Sequence, residues 1–359
     1  MGIKTCFVLA PVVDPESEVA TRLDRMFTNV IAPIAEKLGY QVLRPDMITG
    51  PGSVTSQILN HVLQASLIIA DLSFPSPNVM YELGVAHAMQ RPVIQIASEN
   101  STIPFDIRGV RTIVFTLDDI ESVRFGQKHL EEFILEIEAE PEPFDSPVIA
   151  AAQVQAFNKL KKELTIDGNV PTGTLANILS DLDSRMKAIE LLIIRTQKTS
   201  SERKEFSRRV FIVHGHDGEL KNELARFLER LDFDPIILHE QPDKGQTIFT
   251  KLNAEMADVG FAFVILSPDD VGALAARNDQ LKGRARQNVV FEHGLFAGHL
   301  TPQRVCAIRR GEVEVPSDLH GVLYKTVPEG GSIRSIALEL VNELQAAGYI
   351  VDANKLLSM

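Results

Sequence analysis

A chain of 359 residues is long for a single core and predicts two domains with room for a connector. Its 36 lysines and arginines against 48 aspartates and glutamates leave a net charge of −12. That balance excludes a general nucleic-acid binder, because affinity for a phosphate backbone needs basic surface. It leaves open a small anionic ligand in a local pocket.

Cys6 and Cys306 are too few for a disulfide framework and point to a reducing cytoplasm. No His/Cys cluster has zinc spacing, so no metal is expected. No apolar run approaches the roughly 18 residues of a membrane span, and the N-terminus shows no signal leader, so cytoplasmic localisation is expected.

In chain order, Thr5–Val13 reads as a buried strand ending near Pro11. A helix over Glu16–Leu38 follows from the period of Val19, Leu23, Phe27, Val30 and Ile34, with Pro33 a potential kink and Gly39 a stop. Tyr40–Leu43 is a short strand, and Val54–Gln64 a helix behind a Gly/Pro loop. Ser66–Leu72 is an apolar strand with Asp71 near its end, and a helix starts near Asn78. Arg91–Ile96 and Arg111–Phe115 are further strands. Strands alternating with helices predict a parallel sheet covered on both faces, with ligands at the strands' carboxyl ends.

From about Asp118 to Ser207 the pattern is helical and charged. Ala150–Leu164 and Leu175–Ile194 read as amphipathic helices; the second carries a heptad-like stripe suited to pairing with another copy of the chain. Strands and helices then resume: Val210–His214, Asp217–Leu231, Asp234–Leu238, a helix from the Gln241–Thr247 loop to Met256, Val259–Leu266, a helix at Asn288–Gly298, Arg304–Arg309, and Ile333–Ala347.

The two halves also match residue by residue. Asn78-Val79-Met80-Tyr81-Glu82-Leu83-Gly84 parallels Asn288-Val289-Val290-Phe291-Glu292-His293-Gly294, 210 positions later. Ser53 and Ser73 parallel Thr247 and Ser267; Pro104, Asp106, Gly109 and Val110 parallel Pro316, Asp318, Gly321 and Val322. The predicted architecture is therefore α/β: two related doubly wound, flavodoxin/TIR-like parallel-sheet domains over 1–118 and 207–359, joined by a helical connector over 119–206.

Glu292 is the principal candidate residue. Asn288 reads as the N-cap of its helix, a capping box would place its acid at Phe291, and Glu292 is one residue too late. The plain alternative is a first-turn acid that complements the helix dipole. Its echo at Glu82, on the ligand edge of a repeated sheet, favours chemistry at a sugar anomeric carbon, where a carboxylate stabilises or traps an oxocarbenium-like centre.

Residues 209–327 resemble the TIR-like domain of bacterial effectors that serve cyclic-nucleotide-signalling defence systems. The resemblance is carried by Val210–Gly215, Gly245-Gln246-Thr247-Ile248, Leu266–Asp270, Arg284–Glu292 and Val315–Val322. It implies NAD⁺ glycohydrolase activity with Glu292 as catalytic carboxylate, NAD⁺ as substrate rather than cofactor, and activity on assembly into a homo-oligomer through the connector and TIR domains. His214, Gly215, Gly245, Gln246, Thr247, Ser267, Asp269, Arg286 and Asn288 are the expected substrate-binding residues. His293, where the family more often has Leu, and Leu252-Asn253, where Phe-Glu is commoner, bear on the pocket's substrate preference.

Residues 5–115 resemble the nucleoside 2-deoxyribosyltransferase-like domain through Ala70–Ser73, Asn78–Ala88 and Pro104–Arg108. This implies a possible second site at Glu82 and Asp71, or a module that senses a nucleotide ligand. Two alternatives accompany the glycohydrolase reading: activity of both domains on nucleosides, and a non-catalytic nucleotide receptor. Asp106 and Asp318 read as structural turn residues, Asp269 and Asp270 as turns with one near the ribose, and His214 and His216 as loop histidines. Arg284 and Arg286 suit either a pyrophosphate or solvent, and Leu295 and Phe296 read as core.

Overall fold

The computed structural model describes residues 4–48, 54–74, 76–99, 101–139, 206–241, 248–272, 281–314 and 324–358. Gly245, Gln246, Thr247, Ser53, Pro316, Asp318 and the helices expected over 150–164 and 175–194 lie outside them.

The first sheet comprises β1 (Lys4–Leu9), β2 (Tyr40–Leu43), β3 (Leu67–Asp71), β4 (Val93–Ala97) and β5 (Thr112–Val114), all parallel, in the order β2-β1-β3-β4-β5. The second comprises β6 (Arg209–Val213), β7 (Asp234–Ile236), β8 (Phe261–Leu266), β11 (Val305–Arg310) and β12 (Lys325–Val327). Its order, β7-β6-β8-β11-β12, repeats the first. This is the flavodoxin-like order, whose switch point lies between the first and third strands of each half. Between β8 and β11 a short antiparallel hairpin, β9 (Asp270–Gly272) with β10 (Lys282–Arg284), is present, and neither it nor β12 shows in the apolar pattern.

The helices are α1 (Glu18–Met26), α2 (Ala32–Lys37), α3 (Val54–Gln64), α4 (Pro77–Ala88), α5 (Ile120–Ala139), α6 (Gly218–Arg230), α7 (Ile248–Met256), α8 (Gln287–Leu300) and α9 (Ala337–Ala346). The helix expected over Glu16–Leu38 is α1 and α2 joined by a π-turn at Phe27–Ile31. Pro33 has no N–H to give the Asn29 carbonyl four residues back; the Gln127 side chain donates to that carbonyl instead, at 2.6 Å.

Strand alternation divides the buried residues between two faces. Ile68 and Ala70 of β3 face one core while Leu67 and Ile69 face another. On β8, Ala262, Val264 and Leu266 join the same core as Ile68, and Phe261, Phe263 and Ile265 face outward under α6 and α9. Both sheets thus turn one face onto a shared core, and the two α/β halves form one compact unit. The outer core of the first sheet includes Leu130 and Ile134 of α5. With the Lys4–Glu138 and Lys37–Glu131 ion pairs, each 2.7 Å, α5 is thereby fastened to the first domain. The stretch read as the connector's opening is in this way part of the first domain's packing through Ala139.

The middle layer is built on α4 and α8, the two repeated motifs. Val79 to His87 of α4 are all buried, as are Val289–Phe291 and His293–Ala297 of α8. A helix apolar all round belongs in the interior, and here each covers its own sheet while facing the other helix. Glycine permits the approach: a Cβ at Gly84 would lie 2.2 Å from the Phe291 carbonyl oxygen, and one at Gly294 2.0 Å from that of Tyr81. The repeat therefore closes on itself about a pseudo-two-fold relation between helices.

Candidate functional site

The helix starts correct the expectation for the asparagines. Arg286 is the N-cap of α8, with no side-chain cap bond, and Gln287 is the first helical residue. In α4, Ser76 caps by accepting from the Val79 N–H at 3.3 Å, and Pro77 is first. Asn78 and Asn288 are thus second helical residues rather than caps, because each helix is capped two residues before its asparagine. Glu82 and Glu292 fall in the second turn, and neither helix has an acid in its first turn. The dipole reading of Glu292 does not hold, since that effect fades beyond the first turn.

Glu292 is half-buried as a residue, yet enclosure is the strongest influence on its carboxyl and holds its pKa well above the ordinary value. The negative charge of Asp106 pushes in the same direction, and the Arg286 guanidinium opposes. Asp106, expected as a turn residue, does lie in the one-turn 3₁₀ helix Phe105–Ile107 of the first domain. It is also 7% exposed, its Oδ2 has no hydrogen-bond partner, and burial pushes its pKa up to about 6 against the pull of Arg286. Arg286 in turn donates from Nη1 to His216 Nε2 at 3.0 Å, so that nitrogen of His216 is the unprotonated one.

The switch point between β6 and β8 is latched by Asp269. Its Oδ2 accepts from the His216 N–H at 2.9 Å and from the Ser267 hydroxyl at 3.0 Å. A Cβ at Gly215 would fall 1.7 Å from the same oxygen, so only glycine fits there. Asp269 thereby positions the two loops through one carboxyl oxygen.

His214 lies beside this latch. Its Nδ1 donates to the Gly215 carbonyl at 2.7 Å, leaving Nε2 to accept from His239 Nδ1 at 3.2 Å. Lys221 Nζ closes the chain on His239 Nε2 at 3.3 Å and on Glu240 at 3.1 Å. Burial, aided by His239 and Lys221, keeps the His214 pKa below its ordinary value against the Gly215 hydrogen bond and the charge of Glu240.

Arg284 is taken up elsewhere. It lies across Gly272 in the hairpin, where a Cβ would approach its Cζ to 2.5 Å. His293 faces Tyr81 edge-on, centroids 5.3 Å apart, in the layer between the domains, and burial lowers its pKa to about 4. Its departure from Leu therefore bears on domain packing. Leu295 and Phe296 are core as expected, both fully buried.

In the first domain, Asp71 is buried at the end of β3 and accepts from the Ser73 N–H at 2.9 Å. Arg22 Nη1 lies 3.8 Å from it, and Arg22 Nη2 donates to the Ser73 and Ser98 hydroxyls. Burial raises the Asp71 pKa in spite of Ser73 and Arg22. Glu82 is likewise buried, at 2% exposure. A cleft of about 810 Å³ opens at this edge, where Val12, Ser76 and Asn78 of the first domain meet Lys282, Arg309 and Glu312 of the second. Each domain's carboxyl edge is thus approached by residues of the other.

Among the described residues there is no cluster of three His, Cys, Asp or Glu able to hold a metal, and no helix long and apolar enough to cross a membrane.

These features define a doubly wound α/β protein of two flavodoxin-like halves, each with a second-turn glutamate on a helix at the centre, buried in the first half and half-buried in the second. Residues 209–329 match the family described as CAP12/Pycsar effector protein, TIR domain. Over 150 residues the chain is 33% identical to protein tirC of Dictyostelium discoideum, covering 39% of this chain and 72% of tirC, and it belongs to the same family as tirC. It is also 47% identical over 153 residues to the uncharacterized protein YuaY of Escherichia coli, and 35% identical over 80 residues to the Pycsar effector protein PaPycTIR of Pseudomonas aeruginosa. Those matches cover 42% and 22% of this chain, and the chain spans half of YuaY and a quarter of PaPycTIR.

Proposed function

We propose that the second domain cleaves the nicotinamide–ribose bond of NAD⁺, with Glu292 as the carboxylate at the anomeric carbon, in an effector of anti-phage defence. One observation carries the reading. Glu292 occupies the second turn of a helix buried on all sides, where neither capping nor the helix dipole calls for an acid. The CAP12/Pycsar match over the same residues supports it.

The chemistry follows from the charges. Heterolysis sends the bond's electron pair to the pyridinium nitrogen, releasing neutral nicotinamide and leaving positive charge on the ribosyl carbon. A carboxylate in an enclosed site stabilises that charge more strongly than one in water. Water then adds to the carbon and loses a proton, giving ADP-ribose. Arg286, at the N-terminus of α8, is placed to hold a phosphate oxygen with the helix amides.

The test is release of nicotinamide from NAD⁺ by pure protein at low and high concentration. The expected result is release, increased by assembly of copies, and its loss in Glu292→Gln. Full activity in that variant, or no release even when clustered, overturns the reading.

The interdomain cleft favours a second element of this proposal: a nucleotide held at the first domain regulates the second. Lys282 and Arg309 bring positive charge to the start of α4, and both domains line the space, so an occupant would bear on their packing. A panel of mono-, di- and cyclic nucleotides in the same assay tests it; a flat response across the panel rejects regulation at the cleft. The alternative, nucleoside chemistry at Glu82, requires deoxynucleoside cleavage that Glu82→Ala abolishes.

A further inference from the structure

Lys221 is an ammonium where α6 has no use for one. It is 7% exposed and ends the first turn, so it meets both the cost of burying a charge and the positive end of the helix dipole. Glu240, 3.1 Å away on a half-exposed side chain, is one partner. The same Nζ also lies 3.3 Å from Nε2 of His239, in the one-turn 3₁₀ helix Leu238–Glu240 that follows β7. From there the chain passes to His214 at 3.2 Å and to the Gly215 carbonyl at 2.7 Å.

These hydrogen bonds admit one arrangement of protons. Lys221 can only donate and the Gly215 carbonyl can only accept, while each neutral ring between them gives one N–H and takes one. Both rings are therefore Nδ1–H tautomers, and the direction set from the lysine end agrees with that set from the carbonyl end. A proton added to either ring would set N–H against N–H. Burial acts the same way on His214, holding its pKa below the ordinary value. Glu240 faces the chain 3.1 Å from Lys221 and 3.9 Å from His239, so its charge goes first to the ammonium.

The chain ends on the loop that carries Arg286. Gly215 has no room for a Cβ beside Asp269 Oδ2, His216 gives its N–H to that oxygen, and His216 Nε2 takes Arg286 Nη1 at 3.0 Å. We propose that Lys221 is a positioning residue: through His239 and His214 it holds the Gly215–His216 loop in the orientation that lets His216 take Arg286, and so sets the guanidinium that receives a phosphate of the substrate. This rests on the reading of Arg286 given above and adds to it two residues from α6 and the turn after β7.

Ring-nitrogen chemical shifts of the full chain, labelled on histidine, read the chain directly. His214 and His239 are expected as Nδ1–H tautomers at neutral pH. Lys221→Met, similar in shape, removes the donor; His239 should then move toward Nε2–H, and His214 Nε2 should shift as it loses its partner. ADP-ribose, titrated calorimetrically, supplies the pyrophosphate. Its Kd is expected to rise about tenfold in Lys221→Met, but by less than about twofold when the same change is made in an Arg286→Lys background, since both act through one group. His239→Ala, at a side chain 56% exposed, cuts the chain a second time and should weaken binding equally. Either ring as Nε2–H in wild type, unchanged His239 shifts in Lys221→Met, additive losses in the double variant, or no binding of ADP-ribose by wild type overturns the proposal. All of these are read without turnover: a protein that meets them and releases no nicotinamide would sink the glycohydrolase reading alone.

Discussion

Gly84 and Gly294 hold equivalent places in the two repeats, and each receives a backbone carbonyl of the other's helix. A Cβ at the first would meet Phe291 O at 2.2 Å, and at the second Tyr81 O at 2.0 Å. Neither neighbour is the far end of a flexible side chain, so the helices themselves must part. Gly84→Ala and Gly294→Ala are each expected to cost about 2 kcal/mol or more. Gly109→Ala, with nothing within 4 Å of the added atom, should stay within about 0.5 kcal/mol. Urea midpoints of the three variants check the contrast. Equal midpoints would mean that α4 and α8 do not pack so closely.

Glu292→Gln should separate stability from activity. The amide removes a carboxyl whose ionisation burial already opposes, so thermal stability is expected to hold or rise. Nicotinamide release is expected to fall by at least about 10²-fold, the usual scale for losing one group that meets transition-state charge. Comparable losses in both would make Glu292 a structural residue.

Asp106 gives a signed dependence on pH. Its folded pKa, about 6, lies above the usual aspartate value of roughly 3.9. Between those values the folded state binds more protons than the unfolded, so this group's contribution to stability falls as pH rises through the window and stays low above it. Asp106→Asn should remove that slope and leave the protein about 2 kcal/mol more stable at pH 7. Denaturant titrations of both proteins at pH 5 and pH 7.5 measure it. A variant less stable than wild type at pH 7.5 contradicts the assignment.

Arg22 and Asp71 offer a comparison in the first domain. Arg22→Ala leaves Asp71 buried without its counter-ion, against which it now lies at 3.8 Å. Because Arg22 is partly exposed and the separation long, we expect a loss of about 2 kcal/mol, below the range for a fully buried pair. Adding Asp71→Asn should recover most of it, and a double-mutant cycle on thermal unfolding reads the coupling.

Arg286 should act on binding more than on chemistry. Arg286→Lys keeps the charge but loses the planar donor fork that meets His216. A KM for NAD⁺ raised about tenfold with kcat nearly unchanged is expected; the reverse split would place Arg286 at the reacting bond.

The amino-acid sequence by itself determined the elements and their doubling. Continuous apolar runs such as Leu67–Ala70 and Phe261–Leu266 could only be strands buried on both faces, and the paired Asn-x-x-x-Glu-x-Gly motifs announced two copies of one fold. Both are local or periodic properties that a chain displays without folding. Other features depend on atoms far apart in the chain. Helix start positions turn on whether Ser76 or Arg286 takes the cap, and that moved Glu292 from the first turn to the second. The edge-on packing of His293 against Tyr81 of the other repeat is likewise a tertiary fact.

Asp106 is the clearest case. In sequence it is an acid in a Pro/Gly turn, a common occupant of such places. Only the tertiary structure encloses it and brings the charge of Arg286, from the other domain, to bear on it. The repeat contained that information in latent form: two copies of a helix with no polar face require one another.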